Sequence, residues 1–311
     1  MSVDICETCG AAFHGRHESC PVCGANLPDS GEIRRLPHEV IHQFLAHAEE
    51  FLTSSPLRGL ALSFAGGAFI TFGAALAVSL TVEVDSFGVS GLLLGLGLSV
   101  GYIMVMLSGA ALFTEINVIL PELFLSRPRD LCRRCLPFWG IAIVGNVLGA
   151  LFVGAMINGA HVFGSLQEER LFELIEEKMQ FRDMGVEGWF IVLVSGILAN
   201  WLVGMSAFMA TAGRTLSGKI LGIIPPIVAY LAIGALHAPA NMAYFSIGLI
   251  GGGSGFGWGE VIWWNLIPAA IGNIIGGAIF VALLFWYTYG HHPRKRESLR
   301  HAHQLVREKL Q

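Results

Sequence analysis

The amino-acid sequence predicts an all-α membrane protein with six transmembrane helices, in an inverted repeat of three plus three spans whose second and fifth spans are broken. Charge is scarce: 54% of the 311 residues are hydrophobic and 14% are charged, whereas soluble domains carry about 25% charged residues. Six stretches without Asp, Glu, Lys or Arg are each long enough to cross a hydrocarbon core of about 30 Å. They are Gly59–Val82, Ser86–Thr114, Cys135–Gln167, Gly188–Gly213, Ile220–Ile250 and Val261–Gly290.

The chain begins with two Cys-x2-Cys pairs. They are Cys6 with Cys9 and Cys20 with Cys23, and ten residues separate the pairs. Four thiolates at such spacing are typical of a tetrahedral Zn²⁺ site. Two disulfides are the alternative, which a cytoplasmic location disfavours because thiols stay reduced there. The sequence therefore predicts a structural zinc ribbon over residues 1–26, followed by a polar linker over residues 27–35.

An amphipathic helix is predicted from Leu36 to Ser54. Apolar residues such as Val40 and Phe44 recur at helical spacing, so one face is expected to lie on the membrane surface or against the bundle. His42 and His47 lie between them. His38 and His42 are four residues apart and share a face, which could suggest a metal pair, but His47 lies about 140° round the helix from His42, so a solvated face is the better interpretation.

The second hydrophobic stretch is too long for one straight span. From Ser86 to Pro121 it has 36 residues and is interrupted only by Glu115. At about 1.5 Å per residue, a continuous helix would be roughly 54 Å long. A break is therefore predicted in the middle of this span, around Thr114.

The fifth stretch has the same excess length and also contains a proline. Ile220–Ile250 has 31 residues without Asp, Glu, Lys or Arg, which corresponds to roughly 46 Å of helix. Pro239 has no amide hydrogen and clashes with a preceding carbonyl, so a break is expected near His237. Non-helical backbone at membrane depth survives only when it is buried in protein or lines a cavity. Two half-helices that meet around one histidine therefore predict a transport site.

One motif recurs between the third and sixth stretches. A Gly-Asn pair, ending at Asn146 and at Asn273, precedes two aliphatic residues, a glycine and a small residue, with an offset of 127 residues. Thr114 and His237, at the two breaks, are 123 residues apart. Similar offsets with three spans per unit predict an inverted repeat. Because both asparagines lie in glycine-rich helix contacts, they are expected to make interhelical hydrogen bonds.

The orientation follows from the positive residues of the connections, which collect on the cytoplasmic side. They are concentrated in the second and fourth connections and in the basic tail over residues 291–311: Arg127, Arg129, Arg133, Arg134, Arg214, Lys219, Arg294, Lys295, Arg296, Arg300, Arg307 and Lys309. The sequence thus predicts a multi-pass protein of the plasma or inner membrane with both termini in the cytoplasm. A short amphipathic helix, Leu166–Phe181, is predicted on the outer side.

Four motifs resemble the formate/nitrite transporter family over about residues 37–290. They are Leu112-Phe113-Thr114, Gly196-Ile197-Leu198-Ala199-Asn200, His237-Ala238-Pro239-Ala240-Asn241-Met242, and Asn265-Leu266-Ile267-Pro268 through Gly277. For the domain over residues 36–290, the resemblance implies a six-span, aquaporin-like protomer. It further implies a homopentamer with one pore per protomer that passes small monovalent anions.

The resemblance also implies roles for individual residues. Thr114 falls on the family's loop threonine, His237 on its central pore histidine and Asn200 on a retained asparagine of the fourth span. Residues at apolar constriction positions or beside the loop threonine are expected to narrow the pore. They are Leu98, Tyr102, Phe113, Val203 and Tyr230.

Three departures from the family pattern leave the choice among formate, nitrite and hydrosulfide open. Leu236 stands where the family commonly has an acid before the histidine. Met184 aligns with a family lysine, whereas Lys178 and Arg182 are nearby but out of register. Glu115 adds a carboxylate after the loop threonine. It is interpreted either as an extracellular-side proton relay or as a cap for the amide hydrogens of the loop.

The mechanism expected from these residues is protonation of the anion inside the pore. A bare charge at the bilayer centre is costly, and its conjugate acid is far cheaper to move. An imidazole, with an ordinary pKa of about 6.5, can load and release protons near neutral pH. We expect His237, held by Thr114, to donate a hydrogen bond or a proton to the anion. Asn117, Asn200 and Asn241 are candidate neutral donors.

Other classes of protein remain possible from the sequence. A neutral-solute channel of the aquaporin type would use the same broken helices, although no Arg lies inside the spans. A membrane-anchored zinc-ribbon sensor would leave the broken spans and the repeat unexplained. His237 could also be a structural histidine that bridges two helices. An enzyme is not expected, because no set of nucleophile, base and orienting group and no open metal site is recognisable.

Overall fold

The computed structural model describes residues 3–6, 8–9, 12–14, 19–20, 22–25, 34–126 and 129–290. The predicted basic tail over residues 291–311 lies outside the described residues, as do residues 27–33 of the predicted linker.

A small hairpin lies at the N-terminus. Strand β1, Val3–Ile5, pairs antiparallel with β2, Ala12–His14, so that Val3 faces His14 and Ile5 faces Ala12. Cys6 follows β1 directly, and the hairpin therefore fixes the position of the first cysteine pair.

The rest of the described chain is helical. Its helices are α1 Pro37–Thr53, α2 Pro56–Leu80, α3 Phe87–Ser108, α4 Phe113–Ser126, α5 Arg129–Gly159, α6 Ser165–Met179, α7 Val186–Ala212, α8 Leu216–Ala232, α9 Ala238–Gly251 and α10 Trp258–Tyr289. A single 3₁₀ turn, Arg182–Met184, precedes α7. Helix α10 contains two π-helical segments, Ile262–Leu266 and Ala278–Leu283.

Five of these helices are long and apolar enough to cross a membrane, judged by length and composition: α2, α3, α5, α7 and α10. Helix α8 is a shorter apolar helix. Large apolar side chains, including Phe72, Leu148 and Phe152, face outward along this bundle. An outward apolar surface on long apolar helices is what contact with lipid requires.

Both predicted helix breaks are present. Helix α3 ends at Gly109, whose φ of +74° is the left-handed conformation that glycine adopts without strain. After α8, Gly234 has a φ of +70°, and α9 begins only at Ala238. His237 is the residue that precedes α9. Each break is thus a left-handed turn followed by a few residues of extended chain.

Glycines allow the helices to pack backbone to backbone. A Cβ placed on Gly149 of α5 would collide with the carbonyl of Phe64 on α2. A Cβ on Gly272 of α10 would collide in the same way with the carbonyl of Leu193 on α7. The pairs α2–α5 and α7–α10 are therefore held at a distance that only glycine permits. This close packing brings Asn146 and Asn273 next to the two breaks.

Two amphipathic helices lie at opposite ends of the bundle. Helix α1 lies at one end, where Arg134 at the start of α5 donates to the Leu52 carbonyl over 3.3 Å. Helix α6 follows the far end of α5, and Arg170 ties it to Ser90 at the start of α3 over 3.0 Å. The bounds of both helices agree with the predicted segments to within two residues.

Candidate functional site

Asn146 holds the break between α3 and α4. Its Oδ1 accepts a hydrogen bond from the Phe113 amide over 2.8 Å. Its Nδ2 donates to the carbonyls of Ser63 over 2.7 Å and Ala111 over 2.9 Å. One buried side chain thus satisfies the backbone groups that the missing helical turn leaves without partners.

Asn273 does the same at the break between α8 and α9. Its Oδ1 accepts from the Ala238 amide over 2.9 Å. Its Nδ2 donates to the carbonyls of Gly196 over 2.8 Å and Leu236 over 3.4 Å. The interhelical hydrogen bonds expected of Asn146 and Asn273 are therefore confirmed.

The hydrogen bonds also show which residues of the two breaks correspond. Phe113 corresponds to Ala238, since each donates its amide hydrogen to the clamping asparagine. This offset of 125 residues makes Leu112 the counterpart of His237. Thr114 and His237, which are 123 residues apart, therefore lie one residue after and one residue before the corresponding pair. The two breaks have the same backbone support but different side chains at the centre.

Thr114 and His237 nevertheless lie together. His237 Nε2 is 3.0 Å from Thr114 Oγ1, and both side chains are buried. The imidazole ring is 5.4 Å from the ring of Tyr230. Its other nitrogen, Nδ1, has no hydrogen-bond partner among the residues that the structure describes. The imidazole is thus held on one side and has hydrogen-bonding capacity left on the other.

The N-termini of two half-helices meet at this pair. Thr114 lies in the first turn of α4, and His237 immediately precedes α9. Amide hydrogens at a helix N-terminus carry a partial positive charge, which favours anions. The centre of the bundle therefore combines a positive potential with a hydroxyl and an imidazole.

Asn200 connects the two breaks. Its Nδ2 donates to the carbonyl of Asn273 over 2.6 Å and to that of Thr114 over 3.3 Å, while its Oδ1 has no partner within the described part of the chain. Asn117, one turn after Thr114, instead faces α5, where its Oδ1 accepts from Trp139 Nε1 over 2.8 Å. The Nδ2 donor of Asn200 is thus engaged with two carbonyls, whereas that of Asn117 has no hydrogen-bond partner among the described residues.

Asn241 is tied to the α6 end of the bundle. Its Nδ2 donates to Asn265 Oδ1 over 2.7 Å, and Asn265 Nδ2 donates to the carbonyl of Lys178 over 2.7 Å. This chain of hydrogen bonds joins α9, α10 and α6. One of the two Nδ2 hydrogens of Asn241, a candidate donor to a ligand, is therefore engaged with protein.

Glu115 faces α1. One carboxylate oxygen is 3.7 Å from His47 Nδ1, and the side chain is buried. It also interacts with the backbone amide of Leu112, as expected of a cap for the loop. Glu115 thus lies at the α1 end of the bundle, opposite α6.

His47, expected on a solvated face, is half-buried. Its side chain is 33% exposed, and its ring stacks on Phe51 with centroids 4.4 Å apart. Burial lowers the pKa of His47, and nearby Glu50 partly offsets this effect. The ring lines a cavity of about 320 Å³ between α1, α3 and α7, which Lys219 also lines. His47 thus lies half-buried at the α1 end of the bundle.

The expected constriction residues all lie inside the bundle. Leu98, Tyr102, Phe113, Val203 and Tyr230 are each at most 4% exposed. The hydroxyls of the two tyrosines have no hydrogen-bond partner among the described residues. All five side chains are buried as expected, but Tyr102 and Tyr230 also carry a polar hydroxyl group.

Near the α6 end, sequence reasoning did not single out Tyr244, and it placed Lys178 out of register with the family lysine. Tyr244 is fully buried on α9, and its hydroxyl has no partner in the part of the chain that the structure describes. Lys178 Nζ lies 4.8 Å from the centroid of the Tyr244 ring. Burial lowers the pKa of Lys178 to about 8. Tyr244 stands seven residues, or two helical turns, after His237. This spacing could have predicted that both residues lie on the same side of α9.

The four cysteines of the N-terminus converge. Their sulfurs all lie within 4.8 Å of one another, with Cys6 to Cys23 at 3.7 Å and Cys9 to Cys20 at 3.6 Å. Zinc–sulfur bonds of about 2.3 Å at tetrahedral angles place sulfurs about 3.8 Å apart. The cluster can therefore hold a metal ion, and its dimensions fit a four-thiolate site.

Comparison with known proteins was made by sequence and by structure. The family described as Formate/nitrite transporter matches residues 38–287. The Uncharacterized transporter YrhG of Bacillus subtilis is 34% identical over 247 residues, covering 78% of this chain and 88% of the relative. The Probable formate transporter of Methanothermobacter thermautotrophicus is 33% identical, covering 77% and 92%. The Formate channel FocA of Escherichia coli K12 is 30% identical, covering 76% and 88%.

Two solved structures share the fold. A structure described as an FNT family ion channel has a TM-score of 0.69 at 21% identity, covering 80% of this chain and 98% of that one. A pentameric formate channel with formate bound has a TM-score of 0.63 at 21% identity, covering 75% and 97%.

These relatives are transporters and channels, not enzymes. With five long apolar helices, the protein described here is a membrane protein. The match over residues 38–287 covers most of its length. The chain belongs to the formate/nitrite transporter family.

Proposed function

We propose that this protein passes small monovalent anions of the formate and nitrite type through a pore in each protomer. The contact between His237 and Thr114, where two half-helix N-termini meet, carries the proposal. In this proposal α3 with α4 forms the second of six spans, α8 with α9 forms the fifth, and the two halves are an inverted repeat. The matching hydrogen bonds of Asn146 and Asn273 support that arrangement.

The chemistry lowers the cost of moving a charge. An anion at the bilayer centre is costly, whereas its conjugate acid crosses readily. When Thr114 donates its hydroxyl hydrogen to His237 Nε2, the proton of the neutral imidazole lies on Nδ1. Nδ1 then faces the anion as a hydrogen-bond donor. Proton transfer starts from the imidazolium, which has taken up a proton from the aqueous phase and donates from Nε2 to Thr114 Oγ1, and which returns to the neutral imidazole when Nδ1 protonates the anion. The positive ends of α4 and α9 attract the anion to that point. Asn200 Oδ1, which has no hydrogen-bond partner among the described residues, then accepts a hydrogen bond from the protonated form of the anion.

The proposed assembly is a homopentamer in the plasma or inner membrane, with both termini in the cytoplasm. The fold neighbour described as a pentameric formate channel supports the pentamer. Arg133 and Arg134 at the α1 end, with Arg214 after α7, support a cytoplasmic position for that end.

Uptake into proteoliposomes tests the proposal. Wild-type protein should take up formate, nitrite or hydrosulfide faster at pH 5.5 than at pH 7.5, because the acid form is the permeant species. His237→Asn should flatten this pH profile. His161→Asn is the matched control, since His161 is exposed after α5 and has a positive φ of 51° that asparagine tolerates. A wild-type pH profile in His237→Asn would refute the proton role, and equal uptake of glycerol and formate would favour a neutral-solute channel.

We also propose that Cys6, Cys9, Cys20 and Cys23 hold a structural Zn²⁺. The sulfur spacing supports this assignment, and Gly24, with a φ of +70°, provides the tight turn after the second pair. Elemental analysis should find about one zinc per purified chain. Cys20→Ser should lose the metal, whereas Cys135→Ser, a buried cysteine of α5, should keep it. Zinc retained by a variant without the four N-terminal cysteines would contradict the assignment.

A further inference from the structure

Three of the five tyrosines are buried in the bundle with unsatisfied hydroxyls. Tyr102 on α3, Tyr230 on α8 and Tyr244 on α9 are at most 1% exposed. The hydroxyl of each has no hydrogen-bond partner among the residues that the structure describes. The other two, Tyr287 and Tyr289, lie on the exposed end of α10.

A buried phenol hydroxyl is normally hydrogen-bonded. Removing it from water without a partner costs free energy, so unsatisfied groups of this kind are rare and call for an explanation. Phenylalanine would fill the same space without that cost. Three such hydroxyls in one bundle therefore indicate partners that pass through the bundle.

The three tyrosines form a series that includes the candidate site. Tyr230 is 5.4 Å from the imidazole of His237, and all three tyrosines belong to one cluster of packed buried side chains. Tyr244 lies beneath Lys178 at the α6 end. Tyr102 lies one turn before Met106 of α3, which lines the cavity beside α1. The series therefore runs from one end of the bundle, past His237, toward the other.

We propose that the hydroxyls of Tyr102, Tyr230 and Tyr244 are a relay of hydrogen-bond donors that makes the pore selective for oxyanions, such as carboxylates and nitrite, over hydrosulfide and halides. The inference rests on the proposed function and adds the ligand class. The rings keep the passage narrow and apolar, and the hydroxyls supply donors at its surface.

The selectivity follows from how the donors are satisfied. A hydroxyl that donates to a carboxylate oxygen makes a short, charge-assisted hydrogen bond. Sulfur is a weak acceptor, so hydrosulfide leaves the buried donors poorly satisfied. A site built to hydrogen-bond one ligand rejects a ligand that lacks the matching group. Formate, with two oxygens, can accept from one tyrosine while it still contacts the previous donor.

The test compares two anions in the same vesicles. Initial rates of formate and hydrosulfide uptake are measured for wild-type protein and for Tyr102→Phe, Tyr230→Phe and Tyr244→Phe. Each substitution removes only a hydroxyl, so the ring packing is kept. The ratio of formate to hydrosulfide uptake should fall about tenfold in Tyr230→Phe, with hydrosulfide uptake unchanged or faster. Tyr287→Phe, a 76% exposed tyrosine, is the matched control and should keep the wild-type ratio.

A second measurement uses competition. Formate should inhibit hydrosulfide uptake by wild-type protein, and the inhibition constant should rise about tenfold in Tyr230→Phe. An uptake ratio and an inhibition constant within twofold of wild type in all three variants would overturn the proposal while leaving anion transport intact. Failure of wild-type protein to take up either anion would instead overturn the proposed function, and the inference with it.

Discussion

The Nδ1 atom of His47 lies 3.7 Å from the buried carboxylate of Glu115, the residue that follows Thr114. This contact joins α1 to the first turn of α4, which also presents Thr114 to His237. A helix at the end of the bundle is thus in direct contact with the turn that forms the candidate site.

Acid should lower the stability of the fold through His47. Burial lowers the pKa of His47 below its ordinary value of about 6.5. The unfolded chain therefore binds more protons than the folded one just below that pH, so the stability present above about pH 6.5 is lost as the pH falls. His47→Gln should reduce the drop in melting temperature between pH 7.5 and pH 5. His161→Asn, at an exposed position after α5, serves as the control and should behave as wild type does.

The two asparagine clamps should be equally important. Asn146→Leu and Asn273→Leu each remove the partners of one buried amide and two buried carbonyls. Each unsatisfied group costs about 1–3 kcal/mol, so either variant should lose several degrees or more of melting temperature. Thermal unfolding in detergent measures this loss. A loss at one clamp without a comparable loss at the other would contradict the equivalence of the two breaks.

A single methyl group should separate essential glycines from dispensable ones. Gly149→Ala places a Cβ against the Phe64 carbonyl, which cannot move without shifting α2. Gly140→Ala, on the same helix, meets no atom within 4 Å and removes a flexible residue from a helix. We expect Gly149→Ala to fail to assemble and Gly140→Ala to gain about 0.5–1 kcal/mol. The yield of folded protein on size-exclusion chromatography distinguishes the two.

Because of Lys178, transport through the proposed pore should depend on pH in the alkaline range. Its pKa is lowered to about 8 by burial, so the ammonium group over Tyr244 is lost as the pH rises through that value. The apparent KM for formate entering from the α6 side should therefore rise between pH 7 and pH 9. Lys178→Met should have a high KM at both pH values. Lys219→Met, at the opposite end, should retain the wild-type dependence.

Much of the architecture was predictable because length and motif spacing are properties of the chain itself. Excess length identified both breaks, and Pro239 located one of them within two residues of His237. The roles of Asn146 and Asn273 followed from their recurrence beside glycines. The resemblance, rather than periodicity, brought Thr114 and His237 together as one site.

Contacts between distant elements were not predictable. The pairing of His47 with Glu115 depends on how α1 packs on α4, and helical periodicity shows only which residues share a face. The contact between Lys178 of α6 and Tyr244 of α9 likewise depends on how two helices pack, so it could not be predicted from periodicity. The offset of 123 residues between Thr114 and His237 is two shorter than that between Phe113 and Ala238, because Thr114 follows Phe113 and His237 precedes Ala238.

The collision that bars any side chain at Gly149 or Gly272 has a consequence for how cargo can change over time. Because the backbones of these paired helices already touch, the helices cannot move closer together, and moving apart would break the contact. Evolution of a new ion selectivity would therefore replace side chains that line the proposed pore, while the diameter of that pore stayed constant.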